Sequence, residues 1–137
     1  MILNAFHLFG AALAFGTAFS FVFILYPGVM RLPDPTARLQ ALAGVVKFYN
    51  QFYLLGLCVA FMTGAFRLTD LKILFGGGYY EALGGLLLWK FGLTMLIFLV
   101  AGMQCFGQGL KFTRMVSGVI PADLATQERY ARKIRRA

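Results

Sequence analysis

Between Ile2 and Tyr26 the sequence places twenty-five residues in a row without an Asp, Glu, Lys or Arg. As an α-helix that run is ~37 Å long, more than the ~30 Å hydrocarbon core of a bilayer requires. No Lys or Arg precedes it, and it is too long for the apolar core of a secretory leader, so a retained helix is expected. Composition agrees with a polytopic membrane protein. The chain is 60% hydrophobic and 13% charged, with mean hydropathy +0.75, where soluble domains are about half apolar and a quarter charged.

Two further spans follow. "LPDPTARLQ" supplies a turn and a helix start, with Asp34 as N-cap and Pro35 at the first helical position. The second span then covers 41–66. Only Phe52 to Phe66 within it is strictly apolar, so Asn50 and Gln51 belong near one interface. The third span covers 82–108 in a helix from about Glu81 to about Lys111, after a "GGGYY" loop whose aromatic pair suits a headgroup boundary. The expected architecture is an all-α integral membrane bundle of three transmembrane helices in a single domain, 1–137.

Orientation follows from the cations. Arg31, Arg38 and Lys47 cluster at the first loop, and Lys111, Arg114, Arg129, Arg132, Lys133, Arg135 and Arg136 lie in the C-terminal stretch. The opposite side holds only Arg67 and Lys72. The positive-inside rule places the first loop and basic tail 111–137 in the cytoplasm and the N-terminus outside, across a cell inner (cytoplasmic) membrane. Small residues recur at packing intervals: Ala12, Gly16 and Ser20; Gly56, Ala60 and Gly64; Gly85 and Gly92.

Lys90 is the one charge between Ala82 and Gly102. About 10 Å inside the outer end of its helix, its stem can snorkel to the headgroups beside Trp89. Alternatively it faces an anionic group within protein. His7 near the outer end of the first helix and Arg67 closing the second come to the same leaflet. A neutral His7 is a candidate ligand for haem iron or copper, with Arg67 and Lys90 facing an anionic group such as a propionate. The competing reading is an interfacial or hydrogen-bonding histidine.

"HLFGAALAFG…YPGVMRL", "GAFRL" and "LLLWKFGLTMLIFLVAG" resemble the CopD/HemJ group of small integral membrane proteins, which covers copper-resistance proteins and protoporphyrinogen oxidases. The resemblance spans about residues 3–113. His7, Gly16 and Lys90 match the group's early histidine, the glycine nine or ten residues on, and its lysine in a later span; Arg67 matches less securely. The resemblance implies haem b or copper handling centred on His7. Members of the HemJ type carry a fourth span after a basic stretch, and the sequence here has three.

Cys58 and Met62, four apart, form a soft pair suited to Cu(I) or to plain packing. The two cysteines, Cys58 and Cys105, show no CxxC spacing, and no disulfide is expected. Asn50 is expected to meet Gln104 or Gln108 across helices. Glu81 belongs at an interface and Asp70 in a loop. Hydrolytic, phosphoryl-transfer and carboxylate-relay motifs have no residues here. "PADLATQERYARKIRRA" reads as a basic amphipathic helix, with Leu124, Ala131 and Ile134 on one side. The cations Arg129, Arg132, Lys133, Arg135 and Arg136 would meet anionic lipid or an acidic partner protein. The formal net charge of +8 comes largely from this tail and calls for no nucleic acid. The expected role is a non-catalytic accessory subunit of a larger energy-transducing or redox membrane complex, with membrane lipids and other subunits as partners. The alternative is the haem- or copper-handling role.

Overall fold

The computed structural model describes residues 2–136; the side chains of residues 79, 80, 82, 83, 135 and 136 lie outside that description. The expected aromatic pair Tyr79–Tyr80 and the Arg135–Arg136 surface therefore lie outside the described side chains. The chain forms an all-α bundle. Helix α1 is Ile2–Met30, α2 is Pro35–Phe75, α3 runs over 79–116, and α4 is Leu124–Arg136. The first three are long and apolar enough to cross a membrane. Their outward faces are covered with side chains such as Phe15, Ile73 and Leu88, each about three-quarters exposed (74%, 78% and 74%). So continuous an apolar surface is far larger than water-soluble monomers present.

Helix α1 continues past Tyr26, where the sequence suggested an end. Pro27 lacks an N–H, and its ring crowds the carbonyl four residues back, which ordinarily kinks or ends a helix. Here a π turn over Phe21–Leu25 precedes it, with the Tyr26 N–H bonded to the Phe21 carbonyl. One wide turn absorbs the proline and the helix goes on to Met30. Asp34 caps α2 as expected, its carboxylate accepting from the N–H groups of Thr36 at 3.2 Å and Ala37 at 2.9 Å. Helix α2 then runs 41 residues, well beyond Phe66, so Asp70 lies on a helix and not in a loop. It stops at Gly76, whose φ of 54° is a conformation that side chains with a Cβ rarely adopt.

Helices α1 and α2 form the most intimate pair, antiparallel and crossing at Gly10 and Gly56. A Cβ built on Gly10 would lie 2.6 Å from the Ala60 nitrogen, and one on Gly56 would lie 2.6 Å from the Ala14 nitrogen. The two backbones touch. Of the stripes read from the sequence, Gly56, Ala60 and Gly64 do face α1. The stripe of Ala12, Gly16 and Ser20 does not make the crossing: Ala12 is exposed and Gly16 has open space beside it. Gly10 and Ala14 take that place, because they carry the same small–x–x–x–small spacing one helical face away. Gly85 and Gly92 likewise have nothing near them.

All four helices meet only at the basic end, the end that carries the 31–34 turn and α4. There Phe21, Tyr26, Leu39, Leu42, Ala43, Val46, Phe112 and Ala131 form the core. Phe112 and Leu42 are wholly buried, each contributing about 2–3 kcal/mol by apolar burial. Helix α4 lays Ala131 and Ile134 on this core, while Leu124 stays half exposed beyond it. Arg38 donates to Glu128 at 3.1 Å, and Lys111 and Lys133 lie over the Tyr130 ring at 5.3 and 5.5 Å. The apolar face of the tail is thus spent largely on the chain itself. At its start the Thr126 side chain and N–H hold the Asp123 carboxyl below the usual carboxylate range, and the Lys111 hydrogen bond and charge hold the Tyr130 phenol below its usual range.

Candidate functional site

Polar side chains gather at two depths. The first gathering is on the α1–α2 seam, toward the end away from the basic cluster. His7 is half-buried there. Its Nδ1 lies 2.9 Å from the Ala60 carbonyl oxygen and 3.1 Å from Thr63 Oγ1. A carbonyl only accepts, so Nδ1 carries the proton. Thr63 sends its own hydroxyl hydrogen to the Val59 carbonyl at 2.6 Å and so accepts from the imidazole as well. In the neutral ring, Nε2 is left with the lone pair. Gly64 makes the seat, since a Cβ there would stand 3.3 Å from His7 Cε1.

Arg67 follows Thr63 by one turn on the same face of α2, opposite the first residues of α1 in this antiparallel register, and is exposed. Lys90 belongs to α3, whose half away from the basic end packs chiefly on α2; the Phe61 and Phe98 rings mark that contact at 5.2 Å. Counting from that pair away from the basic end, Arg67 lies six residues on and Lys90 eight, ~9 and ~12 Å along their helices. The two cations therefore share a level, with His7 about one to two turns deeper. Lys90 and Trp89 are both exposed, and among the described residues Lys90 has no ion pair. The structure seats His7 on α2 and brings Arg67 to its face. It does not close the trio into one pocket.

Cys58 and Met62 are exposed. Each is two residues from Ala60, which turns it ~200° around the helix, away from His7. Among the described residues no three His, Cys, Asp or Glu lie together.

The second gathering is at the basic end. Asn50 Nδ2 donates to the Cys105 carbonyl at 3.1 Å, not to a glutamine side chain as the sequence suggested. The reason is a π segment, Met103–Gly109, in α3. There the Leu110 N–H reaches back five residues to the Cys105 carbonyl, which opens that oxygen to a second donor. Gly109 admits the amide, because a Cβ there would meet Asn50 Nδ2 at 2.6 Å. Replacing Asn50 with Leu should lower stability by about 1 kcal/mol, read as an earlier unfolding midpoint in detergent with unchanged expression. Nearby, Gln108 Oε1 is buried without a hydrogen-bond partner among the described residues, and Tyr49 stacks on Tyr53 at 5.1 Å. These groups line a groove of about 990 Å³ that opens past Arg31, Arg38 and Arg132. Sequence reasoning missed the groove. Its signals were the tyrosines of "FYNQFY" and the glycines of "CFGQG".

Compared with models of protein families, with characterised proteins and with solved structures, the chain matches none.

Proposed function

We propose that this chain is a three-span protein of the cytoplasmic membrane, N-terminus outside and basic end in the cytoplasm, that serves as a non-catalytic accessory subunit of a larger membrane assembly of the energy-transducing or redox type. The observation that carries the reading is the outer half of α3. None of its described residues is buried between Tyr79 and Val100, and its one intramembrane cation stands there with no carboxylate partner among the described residues. An ammonium within a span ordinarily faces protein or a water-filled cavity, so this wall suits a neighbouring subunit. Native sizing in mild detergent tests the reading: the chain should migrate with partners, and a lone 15.2 kDa species would refute it.

Lys90 sharpens that test. Within the isolated chain its substitution by Leu or Arg should change stability by less than about 0.5 kcal/mol, as for an exposed site, leaving the unfolding midpoint nearly unmoved. In the assembly, Lys90→Arg should be tolerated and Lys90→Leu should lower complex yield without blocking insertion. Wild-type yield from Lys90→Leu would leave the lysine as an interfacial anchor.

A specific observation favours a second reading, the haem-handling role that the CopD/HemJ resemblance implies. An imidazole that donates Nδ1–H to a backbone carbonyl keeps its Nε2 lone pair for a metal, as metal-ligating histidines usually do. His7 would hold the iron of haem b through its free Nε2, and the exposed Arg67 would face a propionate. When bound, the haem would supply one-electron chemistry; the chain's own contribution is to fix the imidazole tautomer. Copper fits less: Cys58 and Met62 point away from His7. A Soret band in the purified protein that vanishes in His7→Ala would favour this reading, and a featureless visible spectrum would count against it.

A further inference from the structure

We infer that the groove at the basic end is a binding site for one anionic phospholipid of the cytoplasmic leaflet, an inference that rests on the membrane reading above. Three observations carry it. The first is charge. The mouth holds Arg31, Arg38, Arg132 and Glu128, three cations to one carboxylate, and the carboxylate is taken by Arg38 at 3.1 Å. Among the described residues Arg31 and Arg132 have no carboxylate partner and stand exposed. An anionic phosphodiester would complete that set, and guanidinium groups bind phosphate oxygens in pairs.

The second observation is length. The groove is lined from Arg38 to Tyr53 along α2, fifteen residues on, or ~22 Å of helix. Half of a bilayer including its headgroup layer is about 20–22 Å. A lipid whose phosphate sits at Arg31 and Arg132 therefore has its acyl chain alongside Val46, Tyr49 and Tyr53. The third is the wall. The lining is mostly apolar, and it is formed between the π turn of α1, the first half of α2, the π segment of α3 and α4. Ordinary lipid-facing helix surface is convex, and a concave channel of this size holds a chain in place.

The test uses the full-length protein in detergent, relipidated with phosphatidylglycerol or phosphatidylcholine, with bound lipid counted by native mass spectrometry. Phosphatidylglycerol should be retained at one per chain, about tenfold over phosphatidylcholine, as two cations at a membrane surface allow. The double variant Arg31→Gln, Arg132→Gln alters only exposed side chains. It should unfold at the wild-type midpoint in phosphatidylcholine and lose the preference. Ala18→Trp, which narrows the groove wall, should lose retention of both lipids. Excess inorganic phosphate should not displace the lipid. Equal retention of the two lipids, or a preference that survives in the double variant, would overturn the inference; so would displacement by phosphate. Carbonate washing of membranes separates the two levels: a chain that washes off defeats the membrane reading, and a chain that stays but shows no preference defeats this inference alone.

Discussion

Gly56→Leu should abolish the folded α1–α2 pair. The Cβ alone would stand 2.6 Å from the Ala14 nitrogen and 2.9 Å from the Gly10 carbonyl oxygen, and both are backbone atoms that no rotamer can move aside. Overpacking a tight contact costs about 1–3 kcal/mol, occasionally more. Here the helices must separate, which also removes the Ala60 and Thr63 acceptors from His7. The expected loss is about 3 kcal/mol or more, seen in detergent as aggregation on size exclusion or an unfolding midpoint too low to measure. Gly10→Leu should behave alike. Gly16→Ala and Gly92→Ala have open space and should be neutral or gain up to ~1 kcal/mol from helix propensity. If Gly56→Leu behaves like Gly16→Ala, the crossing is wrong.

The second large effect concerns the tail. Deleting residues 122–137 should leave the three spans inserted, because their apolar runs lie elsewhere. It should nevertheless expose the core under Ala131 and Ile134 and remove the Arg38–Glu128 pair, itself worth at most ~1 kcal/mol at that exposure. The combined loss is about 2–4 kcal/mol, read as a lower unfolding midpoint and reduced assembly yield. An unchanged midpoint would mean that α4 rests on the core without stabilising it. Reversed topology after deletion would mean that the tail's cations set orientation.

The long apolar helices were legible because the first is an uncharged run longer than a bilayer and the other two are interrupted by few charges, and Asp34–Pro35 announces a helix start through a carboxylate cap and a fixed φ. Helix ends were not: Pro27 reads as a stop, and only the π turn at Phe21–Leu25 lets α1 pass it. The crossing was half legible. "GLCVA" in α2 was read correctly. The matching "GAALA" of Gly10–Ala14 was passed over for a neighbouring stripe, since periodicity alone does not tell which of two small-residue faces is used. The His7 seat depends on carbonyls and on Thr63 fifty-six residues away, and pairing across that distance has no signature in one sequence. Asn50 pointed to α3 for the right reason, a polar amide in an apolar helix, but its acceptor is a carbonyl freed by a backbone irregularity that composition does not encode.

Two-sided labelling tests most directly whether the chain is a three-span bundle with its basic end in the cytoplasm. Single cysteines would be placed at Leu32, Gly77 and Val119 in a background with Cys58 and Cys105 changed to Ser. Intact cells would then be treated with a membrane-impermeant maleimide. Labelling is expected at Gly77 alone in intact cells, and at Leu32 and Val119 only after the membrane is opened. Labelling of Leu32 in intact cells, or of all three alike, would contradict it.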